Sequence, residues 1–130
     1  MPRFVVLRHE TPPGADRESH FDFMLEDGGK LLTWTLPAPP QAGSTMAATP
    51  LPDHRLAYLD YEGPISGGRG RVTRWDAGAF EWLERGDELL RLRLTGSKFS
   101  GIATIARVQY REPQKGNMQP VAWTHFSQLP

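Results

Sequence analysis

Residues 20–26, HFDFMLE, alternate polar and apolar side chains without a break. Successive side chains of a β-strand point to opposite faces. An extended reading sends Phe21, Phe23 and Leu25 into a core, and His20, Asp22, Met24 and Glu26 to the other side. His20 and Asp22 then stand about 7 Å apart at Cα, because each residue rises about 3.3 Å. Side chains of that length can converge on one ion. A neutral imidazole and a carboxylate suit a divalent transition metal, and a second imidazole would complete a two-His, one-carboxylate site with open positions. His9 is the candidate for that second imidazole. The interval from His9 to His20 matches no compact signature such as H-E-x-x-H, so spacing alone leaves open that these are unrelated surface residues.

The elements that must hold these side chains read as strands. Residues 3–8 carry β-branched and aromatic side chains and predict a strand ending near His9. Residues 10–19, ETPPGADRES, predict a polar loop, and residues 27–29, DGG, a hairpin turn leading into a partner strand over 30–36. The Pro-rich segment 37–52 predicts a long surface loop, and 54–61 fits either a strand or a short helix. After the glycine-rich loop 63–70 come strands over 71–75 and 79–84 with a turn at 76–78 between them. A turn at 85–87 leads to a strand over 88–95, with Leu90, Leu92 and Leu94 inward and Arg91 and Arg93 outward. A turn at 96–101, a strand over 102–108, a polar loop over 110–119 and a closing strand over 121–126 complete the chain. The pattern is all-β and mainly antiparallel, a compact barrel or sandwich of about eight strands with little helix and long surface loops.

The chain of 130 residues reads as a single domain, residues 1–130, large enough to bury a core. Four Trp, six Phe and three Tyr supply bulky core pieces. The 15 basic and 15 acidic residues cancel, which removes global attraction to nucleic acid but not a local basic groove. There is no cysteine, so any metal must be held by His and carboxylate. No apolar run approaches transmembrane length, and the N-terminal one is too short for a signal peptide, so a soluble, cytoplasmic monomer with no membrane partner is expected.

Other constellations compete with the His9, His20, Asp22 set. His54 and Tyr58 share a face on either a strand or a helix and could together contact a phosphate or a leaving oxygen. A turn histidine and a core tyrosine are the plainer account of the same pair. His125 reads as a packing or edge residue. The run GGRGR at 67–71 could cradle an anion or touch RNA but lacks the phosphate-loop pattern, and a bulged hairpin loop is the plainer account. There is no G-x-S-x-G elbow and no Cys-His pair.

Several segments, in order, are similar to one family: FVVLRHE (4–10), HFDFMLEDGGKLLTWTLP (20–37), DHRLAYLDYEGPISGG (53–68), VTRWDAGAFE (72–81) and LTGSKFSGIATIARV (94–108). Together they resemble the 3′-phosphoesterase domain of bacterial DNA ligase D, which also occurs as a free-standing protein. The resemblance implies a compact β-barrel with a polar outer groove. It implies a hydrolase that processes DNA ends, removing a 3′-terminal ribonucleoside and then the 3′-phosphate. The cofactor it implies is a divalent metal, manganese first and zinc or cobalt as alternatives, held by His9, His20 and Asp22. His54 and Tyr58 fall where the family engages the reacting phosphate.

Three departures stand out. Met24 and a position near Met46 fall where the family carries arginine, and the loop between His9 and His20 is longer here. Each lost guanidinium removes charge-assisted hydrogen bonds worth about 1.5–3 kcal/mol. Arg8, Arg55 and Arg69 are the candidate replacements. The resemblance therefore implies a manganese-dependent 3′-phosphoesterase acting on a nucleic-acid 3′ end or another phosphoester, with a ligase or polymerase in trans as its expected partner. The alternative is a catalytically impaired nucleic-acid or protein binding module that keeps the barrel and the metal.

Overall fold

The computed structural model describes residues 1–111 and 118–128. Its strands are β1 (Arg3–Glu10), β2 (His20–Asp27), β3 (Lys30–Leu36), β4 (Thr45–Ala47), β5 (Thr49–Arg55), β6 (Gly63–Pro64), β7 (Arg71–Arg85), β8 (Leu89–Gly96), β9 (Ser100–Arg111) and β10 (Met118–Gln128). A single 3₁₀ turn, Leu56–Leu59, interrupts them among the described residues. All pairings are antiparallel, in the spatial order β4-β10-β9-β8-β7-β1-β2-β3-β5, with β6 added to β7.

The two ends of this order, β4 and β5, are separated in sequence by Ala48 alone. At that residue the segment changes partner, from β10 to β3, and the Ala48 N–H donates to the Ala122 carbonyl at 2.9 Å. No ladder joins β4 to β5, so the sheet is not closed by hydrogen bonds. The chain itself bridges the gap, and barrel describes the shape only loosely.

The fold class matches the all-β expectation, while the described residues form ten strands in place of about eight. Segment 37–52 is not all loop, since it contains β4 and the start of β5. Pro50 and Pro52 hide that strand from a sequence reading. They are tolerated because β5 pairs along one side only, and an edge position can spare the missing N–H. The turn expected at 76–78 is absent too, and β7 runs unbroken for 15 residues. One extra residue on β7 between the partners of Val6 and Leu7 makes a bulge at Trp75, which bends the strand next to the expected turn. Segment 54–61 uses both of its readings, ending β5 and then forming the 3₁₀ turn. The loop read at 110–119 shrinks, because β9 reaches Arg111 and β10 starts at Met118; residues 112–117 lie outside the described residues.

The hairpin from β2 to β3 is the best specified part. Asp27 pairs with Lys30 across Gly28 and Gly29, and Gly28 takes a φ of 65° that a two-residue turn of this kind requires. Inward side chains of this hairpin, Phe23, Leu25, Trp34 and Leu36, join Phe4, Val6, Phe80, Leu92, Leu94, Phe99, Ile105 and Phe126 in the main core. The outward face of β1 and β2 is covered as well. Val5, Leu7 and Met24 pack with Leu31, Val72 and Leu59, and the 3₁₀ turn adds Leu56 and Tyr58. Fully burying each such aliphatic side chain contributes about 1.5–3 kcal/mol, so the 3₁₀ turn is held on the sheet by its apolar side chains.

Asp76 organises the far side. It is 3% exposed, and its carboxylate accepts four backbone N–H bonds, from Ala77 (2.9 Å), Ser97 (2.8 Å), Lys98 (3.0 Å) and Phe99 (2.9 Å). These bonds shape the β8–β9 turn. Replacing Asp76 by Ala leaves buried donors unpaired, and unfolding in urea is expected to show a loss of about 3 kcal/mol or more. A loss under about 1 kcal/mol would contradict this role.

Candidate metal centre

The β1–β2 register sets His9 directly opposite His20 and Leu7 directly opposite Asp22. His9, His20 and Asp22 therefore meet at one end of the outward face. His9 Nδ1 lies 3.5 Å from Asp22 Oδ2, and His20 Nε2 lies 3.2 Å from Asp22 Oδ1. The two imidazole centres are 4.7 Å apart with planes tilted by 55°. Each residue offers a ligand atom, and all of these atoms fall within 4.8 Å of one another.

Each imidazole is tied from behind. The His9 Nε2–H donates to the Arg69 carbonyl at 2.8 Å, and the His20 Nδ1–H donates to the Glu18 carbonyl at 2.9 Å. A carbonyl oxygen only accepts, so each of these nitrogens carries the proton. In the neutral rings, His9 Nδ1 and His20 Nε2 then hold the lone pairs, and these are the nitrogens that face Asp22. Backbone carbonyls commonly fix the tautomer of ligating histidines in this way.

The loops that supply the carbonyls are themselves constrained. Gly70 has φ 98°, and a Cβ there would lie 2.0 Å from the Glu10 carbonyl. Only glycine lets the 63–70 loop close on the end of β1 and bring the Arg69 carbonyl to His9. In the other loop, the Thr11 hydroxyl donates to the Arg17 carbonyl at 2.9 Å and the Thr11 N–H donates to Ser19 Oγ at 3.1 Å, which folds the 10–19 loop back toward His20.

A cavity of about 270 Å³ opens beside these ligands. His54 and Tyr58 line it, with rings 5.5 Å apart at 73°. His54 Nδ1–H donates to the Pro52 carbonyl at 2.9 Å, which leaves Nε2 as its working nitrogen. All five site residues named from sequence thus share one cavity. Of the three candidate arginines only Arg69 lines it, and its guanidinium is held by the Ser66 carbonyl at 2.8 Å. Arg8 lies elsewhere, 3.8 Å from Glu10, and Arg55 lines a neighbouring cavity beside Tyr58. Met24 is 1% exposed and part of the cavity wall, whereas Met46 packs in the main core and does not line the cavity. His125 meets Thr45 Oγ1 at 2.7 Å, away from the cavity.

Two participants escaped the sequence reading. Arg17 Nη2 lies 3.3 Å from His20 Nε2 and donates to Thr35 Oγ1 at 3.2 Å. Thr35 in turn donates to Asp22 Oδ1 at 3.4 Å. Thr35 was findable, because counting back from the two-glycine turn places it opposite Asp22. Arg17 gave no signal, since it sits in an irregular loop.

The hydrogen bond to Asp22 raises the His20 pKa above its ordinary 6.5, against the opposing effect of burial. The Glu18 carbonyl adds to the rise, and Arg17 opposes it. A pKa raised by folding means stability that is complete below the unfolded value of 6.5 and is lost as pH climbs through the folded value. In chelator-treated protein, NMR titration of His20 is expected to give a midpoint above 6.5, and Asp22→Asn is expected to bring it back down. A midpoint at or below 6.5 in the parent protein would contradict the bond.

The profile of the DNA Ligase D 3′-phosphoesterase domain matches residues 13–107. The multifunctional non-homologous end joining protein LigD of Pseudomonas aeruginosa is 34% identical over 124 residues, covering 86% of this chain and 14% of that protein. The proteins of the same name in Mycobacterium bovis and, as a DNA repair protein, Mycobacterium tuberculosis are 30% identical over 113 residues, covering 80% of this chain and 14% of each. The chain thus spans about one seventh of the length of these curated relatives. With the match running through β2, β5, the 3₁₀ turn and β7, each of which contributes to the cavity lining, the chain belongs to the family of DNA ligase D 3′-phosphoesterase domains.

Proposed function

We propose that this chain is a divalent-metal-dependent phosphoesterase that processes nucleic-acid 3′ ends, removing a 3′-ribonucleoside or a 3′-phosphate. The observation that carries the reading is the pair of imidazoles anchored by carbonyl oxygens, with both free nitrogens turned toward one carboxylate. Two nitrogens and one carboxylate oxygen fit manganese, zinc or cobalt, and membership of the family makes manganese our choice. When bound, such an ion supplies Lewis-acid polarisation of a phosphoryl oxygen and a lowered water pKa.

The remaining roles fall to the chain's own groups. His9, His20 and Asp22 hold the ion. His54, once protonated at Nε2, gives its proton to the leaving oxygen, and the Tyr58 hydroxyl orients the phosphate. Arg17 brings a guanidinium to the ligand cluster and can meet a phosphate oxygen there. The ion and a proton compete for His20 Nε2, so metal affinity is expected to fall on acidification.

A second reading, a binding module that keeps the metal without turnover, draws on Met24 as an apolar wall of the cavity. Turnover separates the two. Phosphate release from a 3′-phosphate oligonucleotide is expected to require Mn²⁺, to stop with chelator, and to fall about 100-fold or more in His9→Ala. Arg17→Ala is expected to cost about tenfold in kcat/KM, the scale of one charge-assisted bond. Mn²⁺ binding without any phosphate release would favour the binding module.

A further inference from the structure

The cavity beside the ligands is divided between polar and apolar residues, and the strand register explains the division. On the outward face, β1 presents Leu7 and then His9, and β2 presents Met24, Asp22 and then His20. Val72 of β7 stands opposite His9. Leu7 and Met24 therefore lie one two-residue step behind His9 and Asp22, about 7 Å along the strands. Leu7, Met24 and Val72 are at most 2% exposed, and the half-buried Leu51 and Ile65 complete an apolar end to the cavity.

None of these five side chains can donate to a phosphate oxygen. A phosphate pressed against them would lose hydration without replacement, which is costly. A flat ring attached to the phosphate would instead cover the apolar surface that the half-buried Leu51 and Ile65 leave open in this lining. The cavity volume of about 270 Å³ leaves room for a ring as well as a phosphate.

We propose that this apolar end is a ring subsite. It selects phosphoesters that carry a nucleobase-sized ring on the group bonded to the reacting phosphate, over esters with a bare sugar or polyol arm. The inference rests on the phosphoesterase reading given above. The chemistry stays hydrolytic: the oxygen of water bonds to phosphorus, the P–O bond to the ring-bearing group breaks, and that oxygen leaves with a proton.

Calorimetry on the Mn²⁺-loaded chain with phenylphosphonate and methylphosphonate, neither of them hydrolysable, tests the subsite without turnover. Phenylphosphonate is expected to bind about tenfold more tightly. Leu51→Ser and Ile65→Ser, at half-buried positions that tolerate a polar side chain, are expected to narrow that ratio about threefold each, with Mn²⁺ still bound. Equal affinity, or no binding of either phosphonate by a chain that binds Mn²⁺, overturns the ring subsite and leaves the metal site standing. Failure to bind Mn²⁺ overturns the metal reading together with this inference. Oligonucleotides ending in a base-bearing or an abasic ribose then name the source of the ring. Faster release from the base-bearing end assigns it to the terminal nucleotide, and equal rates beside a phenyl preference assign it to a small aryl or nucleotide ester.

Discussion

The site depends on two hydrogen bonds made away from it. An imidazole has two nitrogens, and a ligand site needs the correct one bare. Here the Arg69 and Glu18 carbonyls each take the proton on the far side of a ring, which leaves the lone pairs of His9 and His20 facing Asp22. Without these bonds, strand pairing would bring the residues together but would not choose the tautomer. The carbonyls come from two different loops, and each has its own constraint: Gly70 against Glu10 in the 63–70 loop, and Thr11 with Arg17 and Ser19 in the loop that joins β1 to β2.

The second dependence is on burial of the outward face. A rolled sheet needs only its inner face covered, yet β1 and β2 are apolar on both. That excess apolar surface draws the 3₁₀ turn onto the sheet and with it Tyr58, while the end of β5 brings His54. Packing and chemistry are thus coupled: the same Leu7 and Met24 that hold the turn also form a wall of the cavity. The bulge at Trp75 lets β7 bend past β1 while keeping Val72 opposite His9.

Much of this was legible from particular residues. The alternation of HFDFMLE points to β2 and both of its faces, and DGG to the turn into β3; the register that sets Thr35 opposite Asp22 follows from that turn but is not part of the sequence reading. The five residues singled out for chemistry share one cavity. What stayed hidden depends on tertiary context. Prolines in an edge strand look like loop, and a bulge stabilised by a distant turn looks like a turn of its own. The opposition of His9 and His20 depends on how an irregular loop of 10–19 returns, and no local pattern encodes that. Arg17 is invisible for the same reason, and of the arginines considered only Arg69, in the 63–70 loop, lines the cavity, while Arg8 and Arg55 do not.

The central claim is that two imidazole nitrogens and one carboxylate converge on a single cation. Pulsed electron paramagnetic resonance of the Mn²⁺-loaded chain reads directly bound nitrogen through its hyperfine coupling. Two coupled imidazole nitrogens are expected in the parent protein, with one lost in His9→Ala and the other lost in His20→Ala. A Mn²⁺ signal that shows no nitrogen coupling, or coupling that neither substitution removes, would contradict the account.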